Sequence, residues 1–158
     1  MTSVFIGGSI SIKTIEDEFK NRIDNIAWKD FYILIGDVPG LDKEVQKYLR
    51  ELEYRNVIVY CTLGKCRNNI GGWKIKAIDY NGEKYNREFY TAKDNAMIKD
   101  STYGLFKWDG ESKGTLRNIV QMAKLEKLTF VYFNNNFRTI RNLTDVTEKI
   151  LNNMRMSL

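Results

Sequence analysis

Histidine is absent from the 158-residue chain. That excludes every mechanism built on imidazole: Ser-His-Asp and Cys-His nucleophile activation, and His-ligated metals. Acid-base chemistry is left to carboxylates, Lys, Tyr, Cys or a substrate itself. Proline occurs once, at Pro39, and cysteine twice, at Cys61 and Cys66. The cysteine spacing fits neither a CxxC redox motif nor a four-ligand zinc site, because no other thiol and no imidazole completes one. The pair reads as two free thiols, and neither a metal nor a cofactor is expected. Long apolar runs are also missing: nothing approaches the roughly 18 residues of a membrane span, and Met1-Thr2-Ser3 passes straight into Val4-Phe5-Ile6 without a basic leader. The expectation is a cytoplasmic protein with no membrane partner.

What is present is the composition of one soluble globular domain, 43% hydrophobic and 28% charged. The formal charge is +5, and residues 113–158 carry eight Lys and Arg against three acids, so the excess lies in the last third. A basic patch attracts phosphates or nucleic acid, while cations on helices more often form a solvated face.

Hydrophobic periodicity divides the chain into alternating elements. Ser3 to Ile6, Phe31 to Ile35, Asn56 to Tyr60, Tyr103 to Trp108 and Leu128 to Phe133 are short apolar runs of the kind that form strands covered on both faces. Helical spacing appears from about residue 14 to 26, with Thr14 and Asp17 resembling a capping box, and again after Leu41. Further helices are expected near 91–99 and 115–126, and a basic terminal helix within 137–158. Pro39-Gly40 suits the centre of a type II turn. Residues 64–90 read as irregular or as a small hairpin, and Asn134-Asn135-Asn136 as a loop. The pattern predicts one α/β domain over residues 1–158, a Rossmann-like doubly wound parallel sheet of five strands in the order 3-2-1-4-5.

In such a sheet a ligand sits outside the carboxyl ends of the strands where their order reverses. The loops expected there are Gly7-Gly8-Ser9, Gly36-Asp37-Val38-Pro39-Gly40 with Asp42, and Asp109-Gly110-Glu111-Ser112-Lys113-Gly114-Thr115. Glycines let backbone approach an anion, and Ser112, Gly114 and Thr115 open a helix whose free N–H groups suit a phosphate. Lys113 adds a point charge. Asp109, Glu111 and Asp94 are the candidate catalytic carboxylates for a ribose hydroxyl or a glycosidic bond. The same acids read equally well as solvated loop or N-cap residues. Trp108 and Tyr90 are candidates for stacking on a base, although aromatics at strand ends are more often core or rim residues.

At Phe5-Ile6-Gly7-Gly8-Ser9, Gly36-Asp37-Val38-Pro39-Gly40-Leu41-Asp42 and Trp108-Asp109-Gly110-Glu111-Ser112-Lys113-Gly114-Thr115 the chain resembles the SLOG superfamily. That Rossmann-like group includes DprA/Smf, the Lonely Guy phosphoribohydrolases and the YspA-type proteins; the YspA-like branch is the best match. The resemblance implies that the glycines, Ser9 and Thr115 contact a nucleotide, that Asp42 fixes the second loop, and that the protein is a homo-oligomer. Lonely Guy enzymes carry a catalytic glutamate three residues after the threonine, where this chain has Asn118. Three functions are therefore open: a nucleotide sensor or sequestering module, a nucleotide N-glycosidase or deoxyribosyltransferase-like hydrolase, and nucleic-acid handling as in DprA.

Overall fold

The computed structural model describes residues 1–156. Seven strands form one sheet: β1 (Ser3–Gly8), β2 (Tyr32–Ile35), β3 (Val57–Thr62), β4 (Lys74–Ile78), β5 (Tyr103–Lys107), β6 (Thr129–Phe133) and β7 (Asn136–Ile140). Their spatial order is β4-β3-β2-β1-β5-β6-β7. The first six are parallel, and β7 runs antiparallel to β6. The α/β class is as expected, and the five strands read from sequence keep their expected relative order as β3-β2-β1-β5-β6. Two edge strands correct the count. β4 lies within residues 64–90, read as irregular or a small hairpin, most of which is irregular up to the start of the helix at Arg87. β7 occupies the start of the segment read as a basic terminal helix, because Asn134 and Asn135 both take left-handed φ (50° and 62°) and turn the chain back as a two-residue hairpin.

Helices α1 (Asp17–Trp28) and α2 (Leu41–Glu51) cover one face of the sheet, while α3 (Arg87–Asp100) and α4 (Lys113–Lys124) cover the other. The terminal run consists of α5 (Leu143–Val146), a π-helical turn (Thr147–Leu151) and α6 (Asn152–Met156), packed beside α4 through Val146 and Ile150. Strand residues alternate between the two cores. Val4, Ile6, Ile33 and Ile35 meet Phe19, Ile23, Val45 and Leu49, whereas Phe5, Leu34 and Phe106 meet Met97, Ile119 and Met122. Burial on both faces explains why the central strands read as continuous apolar runs.

Local corrections follow from capping. α1 begins at Asp17 behind Glu16, which makes no side-chain cap, so Thr14-Asp17 is not a capping box. Gly40 does take positive φ (86°), but its ψ of −132° is far from a type II turn, and it serves as the N-cap position of α2. Cys61 and Cys66 are joined in a disulfide rather than free, with Cα atoms 5.2 Å apart. A left-handed turn at Leu63 and Gly64 (φ 56° and 71°) folds Cys66 back onto the end of β3.

Candidate functional site

The three loops that leave β1, β2 and β5 meet at the carboxyl edge. The Leu41 amide donates to the Ser9 carbonyl at 3.2 Å, joining the second loop to the first. The Asp109 amide donates to Ser9 Oγ at 3.2 Å, joining the third. Glycine is required where these segments touch: a Cβ on Gly8 would collide with Leu41 and the Lys107 carbonyl, and one on Gly40 with the Ile10 main chain. Ser9 is fully buried, and its amide donates to the Lys107 carbonyl, so it ties the loops together. Gly7 is closed in by Phe5 and Phe106.

Asp109 organises the third loop. Its Oδ1 accepts from the Glu111 and Ser112 amides, both at 2.8 Å, and its Oδ2 from Ser11 Oγ at 2.7 Å. Partial burial works against the charge, but the bonds from Ser11, Ser112 and Glu111 outweigh it and hold the carboxyl below the ordinary range. Ser112 then caps α4, its Oγ accepting from the Thr115 amide at 3.3 Å. Ser9 and Thr115 thus sit at one edge, linked through Asp109 and Ser112. The first-turn amides of Lys113 and Gly114 have no intrahelical acceptor, and both residues are exposed. Gly110 packs against Phe133, and Glu111 lies exposed on the surface. Trp108 is buried against Phe133 and donates its Nε1 to the Ser112 carbonyl at 2.9 Å, so it supports the loop from beneath and presents no stacking face.

Behind these loops lies a cluster of buried charge. Lys93, from α3, pairs with Asp94 Oδ1 at 2.8 Å. Asp94 Oδ2 accepts from Asn118 Nδ2, on α4, at 3.2 Å. Gly36 supplies room for the rest: a Cβ there would lie 2.6 Å from Asp42 Oδ2 and 3.0 Å from Lys93 Nζ. Asp42 also accepts from the Val38 amide of the second loop at 3.4 Å. Burial pushes the Asp42 carboxyl up to about 7, against the pull of Lys93. For Lys93, burial acts to lower the ammonium, but the charges of Asp94 and Asp42 overcome this and raise it.

Asp37 completes the edge in a different way. Its carboxylate receives the Arg67 amide at 2.9 Å, Nε at 3.2 Å and Nη2 at 3.0 Å, a two-pronged guanidinium grip. The same guanidinium lies 5.2 Å from the Tyr90 ring centroid, and Tyr90 is 40% exposed. Pro39 is exposed beside it. Sequence reasoning missed Lys93 and Arg67. Lys93 carried a readable signal, since Phe89, Lys93 and Met97 repeat at four-residue spacing on the buried face of α3.

A separate cleft of about 290 Å³, lined by Arg22, Ile26, Lys29, Phe31, Tyr103 and Phe130, lies by the amino ends of β2, β5 and β6. It touches none of the three loops. The basic side chains of the last third are divided: Lys127 binds the Ile98 and Lys99 carbonyls at the far end of α3, whereas Arg117 donates to Asn95 and Asn118, and Arg138 packs over Phe133, which itself meets Gly110 of the third loop. No helix among the described residues is long and apolar enough to cross a membrane, and they hold no group of three acids or thiols placed for a metal.

No protein-family model matches the chain, and no curated protein does either. Among solved structures it is similar to DNA processing protein A from Helicobacter pylori, a protein described for its single-stranded DNA binding mode. The TM-score is 0.65 at 16% identity, over 94% of this chain and 72% of that one. The two share a fold. At that identity the likeness covers the sheet and its helices and leaves the chemistry of the edge to its own residues.

Proposed function

We propose that this protein binds a nucleotide or nucleotide-derived ligand at the carboxyl edge, acting as a sensor or sequestering module of the SLOG type. One observation carries the reading. The buried charged residues of the described chain, Asp37, Asp42 and Lys93, all gather where the three loops meet. Burying charge is costly, so its concentration at a switch-point crevice is the mark of a site. Lys113 and the free amides at the start of α4 suit a phosphate, and Tyr90 with Arg67 offers a flat surface for a base. Mass spectrometry of small molecules released from denatured protein, followed by melting-temperature shifts with the 5′-mononucleotides, tests this reading. A ligand-dependent rise is expected. No shift with any of them, and no released nucleotide, would discard it.

Hydrolysis of an N-glycosidic bond is the second reading, and one contact favours it. Asn118 stands where Lonely Guy enzymes carry their glutamate, and its amide holds the carboxylate of Asp94. Asp94, held by Lys93 and Asn118, is thus a carboxylate beside the vacated position, whereas Asp109 is taken up by Ser11 and the Glu111 and Ser112 amides and Glu111 faces solvent. Release of free base from a mononucleotide, abolished in Asp94→Asn, supports this reading; no release removes it. Single-stranded DNA, which the structural neighbour binds, is a third ligand of the same phosphate chemistry. Lys127 lies away from the three loops, which leaves a short basic run at the edge and favours a small ligand over a strand. DNA affinity falling steeply with salt would reverse that preference.

A further inference from the structure

We propose that the Cys61–Cys66 pair is a redox modification site that sets the order of the Arg67–Asp37 clamp, and through it the affinity of the crevice. The proposal rests on the reading above for what the clamp serves; its physical basis is independent of it. Cys66 immediately precedes Arg67, and the disulfide ties it to the end of β3, beside β2. Three donors of Arg67 converge on the Asp37 carboxylate, and Asn68 Nδ2 reaches the Asp37 carbonyl at 2.9 Å. Gln46, buried on α2, completes the set by donating to the carbonyls of Gly36 at 3.0 Å and Asn68 at 3.2 Å. The segment after the disulfide is therefore tied to the loop after β2 by polar bonds.

The strained position inside the ring is Leu63. It is held at φ 56°, a left-handed conformation that costs a branched side chain free energy, inside the loop the disulfide closes. The turn is also held by backbone bonds from the Leu63 amide to the Ile78 carbonyl at 2.8 Å and from the Gly64 and Lys65 amides to the Cys61 and Thr62 carbonyls, both at 3.2 Å, and the disulfide adds ring closure to these. Once the bond opens, only those bonds oppose relaxation of Leu63 to negative φ, and such relaxation moves Cys66 and the Arg67 backbone that follows it. A charged residue whose partner lies in another loop then loses three bonds together.

The chemistry is ordinary thiol–disulfide exchange with a dithiol. Cys61 is fully buried and Cys66 only half-buried, so the incoming thiolate attacks Cys66 Sγ. The S–S bond breaks, and Cys61 Sγ leaves as a thiolate and takes a proton. The second thiol of the reductant then displaces Cys66, leaving two protein thiols and an oxidised dithiol.

The test uses the full chain with dithiothreitol as the reductant. Maleimide mass-tagging under non-reducing, denaturing conditions should find no free thiol, and two after reduction. Hydrogen exchange at the Arg67 amide should accelerate at least tenfold on reduction, and trypsin should cleave faster after the exposed Lys65 and Arg67. A Cys66→Ser variant should exchange fast with or without reductant. Two free thiols in the untreated protein, or unchanged exchange at Arg67 on reduction, overturn the proposal. Exchange is measured without ligand, so it is read separately from mononucleotide binding: if the mononucleotides bind, affinity should fall at least fivefold on reduction, and equal affinity overturns the link to the crevice. If exchange responds to reduction and no mononucleotide binds either form, the clamp is supported and the nucleotide reading fails.

Discussion

At the amino edge of the sheet, polar side chains mostly anchor backbone, and where they meet one another, as Tyr60 and Lys76 do on Asp100, the charges are partly exposed. Ser3 Oγ donates to the Asp100 carbonyl, the Tyr54 hydroxyl to the Phe31 carbonyl, and Lys127 Nζ to the carbonyls that end α3. At the carboxyl edge the polar groups instead face one another. Asp42, Lys93, Asp94 and Asn118 form a cluster that includes buried charge, with Asp37 and Arg67 beside it. The two edges belong to the same strands and the same hydrophobic layers, so the difference is not imposed by the fold. It shows where the chain tolerates an unfavourable desolvation.

The largest effect that can break this comparison comes from Lys93. Lys93→Met leaves Asp42 and Asp94 facing each other without their cation, and losing one partner of a buried pair costs roughly 3–5 kcal/mol. Lys127→Met at the other edge removes hydrogen bonds that solvent can replace, a cost of about 1 kcal/mol. Urea denaturation of the two variants measures the contrast. Equal losses would mean that the carboxyl edge is no more demanding than the amino edge.

Next in size is a pH effect at Asp42. Its folded carboxyl titrates near 7, above the ordinary 3.8 of an unfolded carboxylate. Between these values the native state holds more protons than the unfolded one. The contribution of Asp42 is therefore fully present below about 3.8, declines as pH rises, and is lost above about 7. Asp42→Asn should match the wild type near pH 4 and exceed it at pH 8. Each tenfold change in the proton affinity of a carboxyl is worth about 1.4 kcal/mol, so a gain of at least about that size is expected from melts across the pH range. Asp109 has the opposite sign, since its carboxyl is lowered: its contribution is present above the ordinary value and fades in acid.

These two variants also show what the sequence could and could not convey. The central strands and their order follow from local patterns, because a strand buried on both faces leaves a continuous apolar run such as Tyr32–Ile35. The edge strands lack that signature: β4 reads Lys-Ile-Lys-Ala-Ile and is mostly exposed, with Ile75 at 44%. The loops of the site were legible because glycine marks close approach. Arg67 was not, because nothing local marks its partner, and the four-residue spacing of Phe89, Lys93 and Met97 puts Lys93 on a buried face without showing that the Gly36 loop stands opposite. The Cys61–Cys66 bond escaped for the same reason, since it depends on a left-handed turn at a leucine, a residue that gives no turn signal.

A smaller effect separates loop support from ligand contact. Ser112→Ala removes the cap on the Thr115 amide, at a cost of about 1 kcal/mol, measurable as a lower melting temperature. The same loss should not appear for the exposed Lys113→Ala, which removes only a charge facing the crevice. If Lys113→Ala proves the more destabilising of the two, the start of α4 is held by something other than its cap.

The smallest effect on stability is also the sharpest test of the edge as a site. A Cβ added to Gly114 meets nothing within 4 Å, so the fold does not require glycine there. Gly114→Ala should leave stability unchanged or raise it by up to about 1 kcal/mol, since alanine is the better helix former. Gly114→Trp should also fold, because its side chain projects into open space, but it would fill the approach to the Lys113 and Gly114 amides. A glycine that costs the helix stability and is not needed for packing is best explained by something that comes close to it. If Gly114→Trp folds and still gives the wild-type melting shift with a bound nucleotide, nothing approaches that helix start, and the phosphate end of the site lies elsewhere.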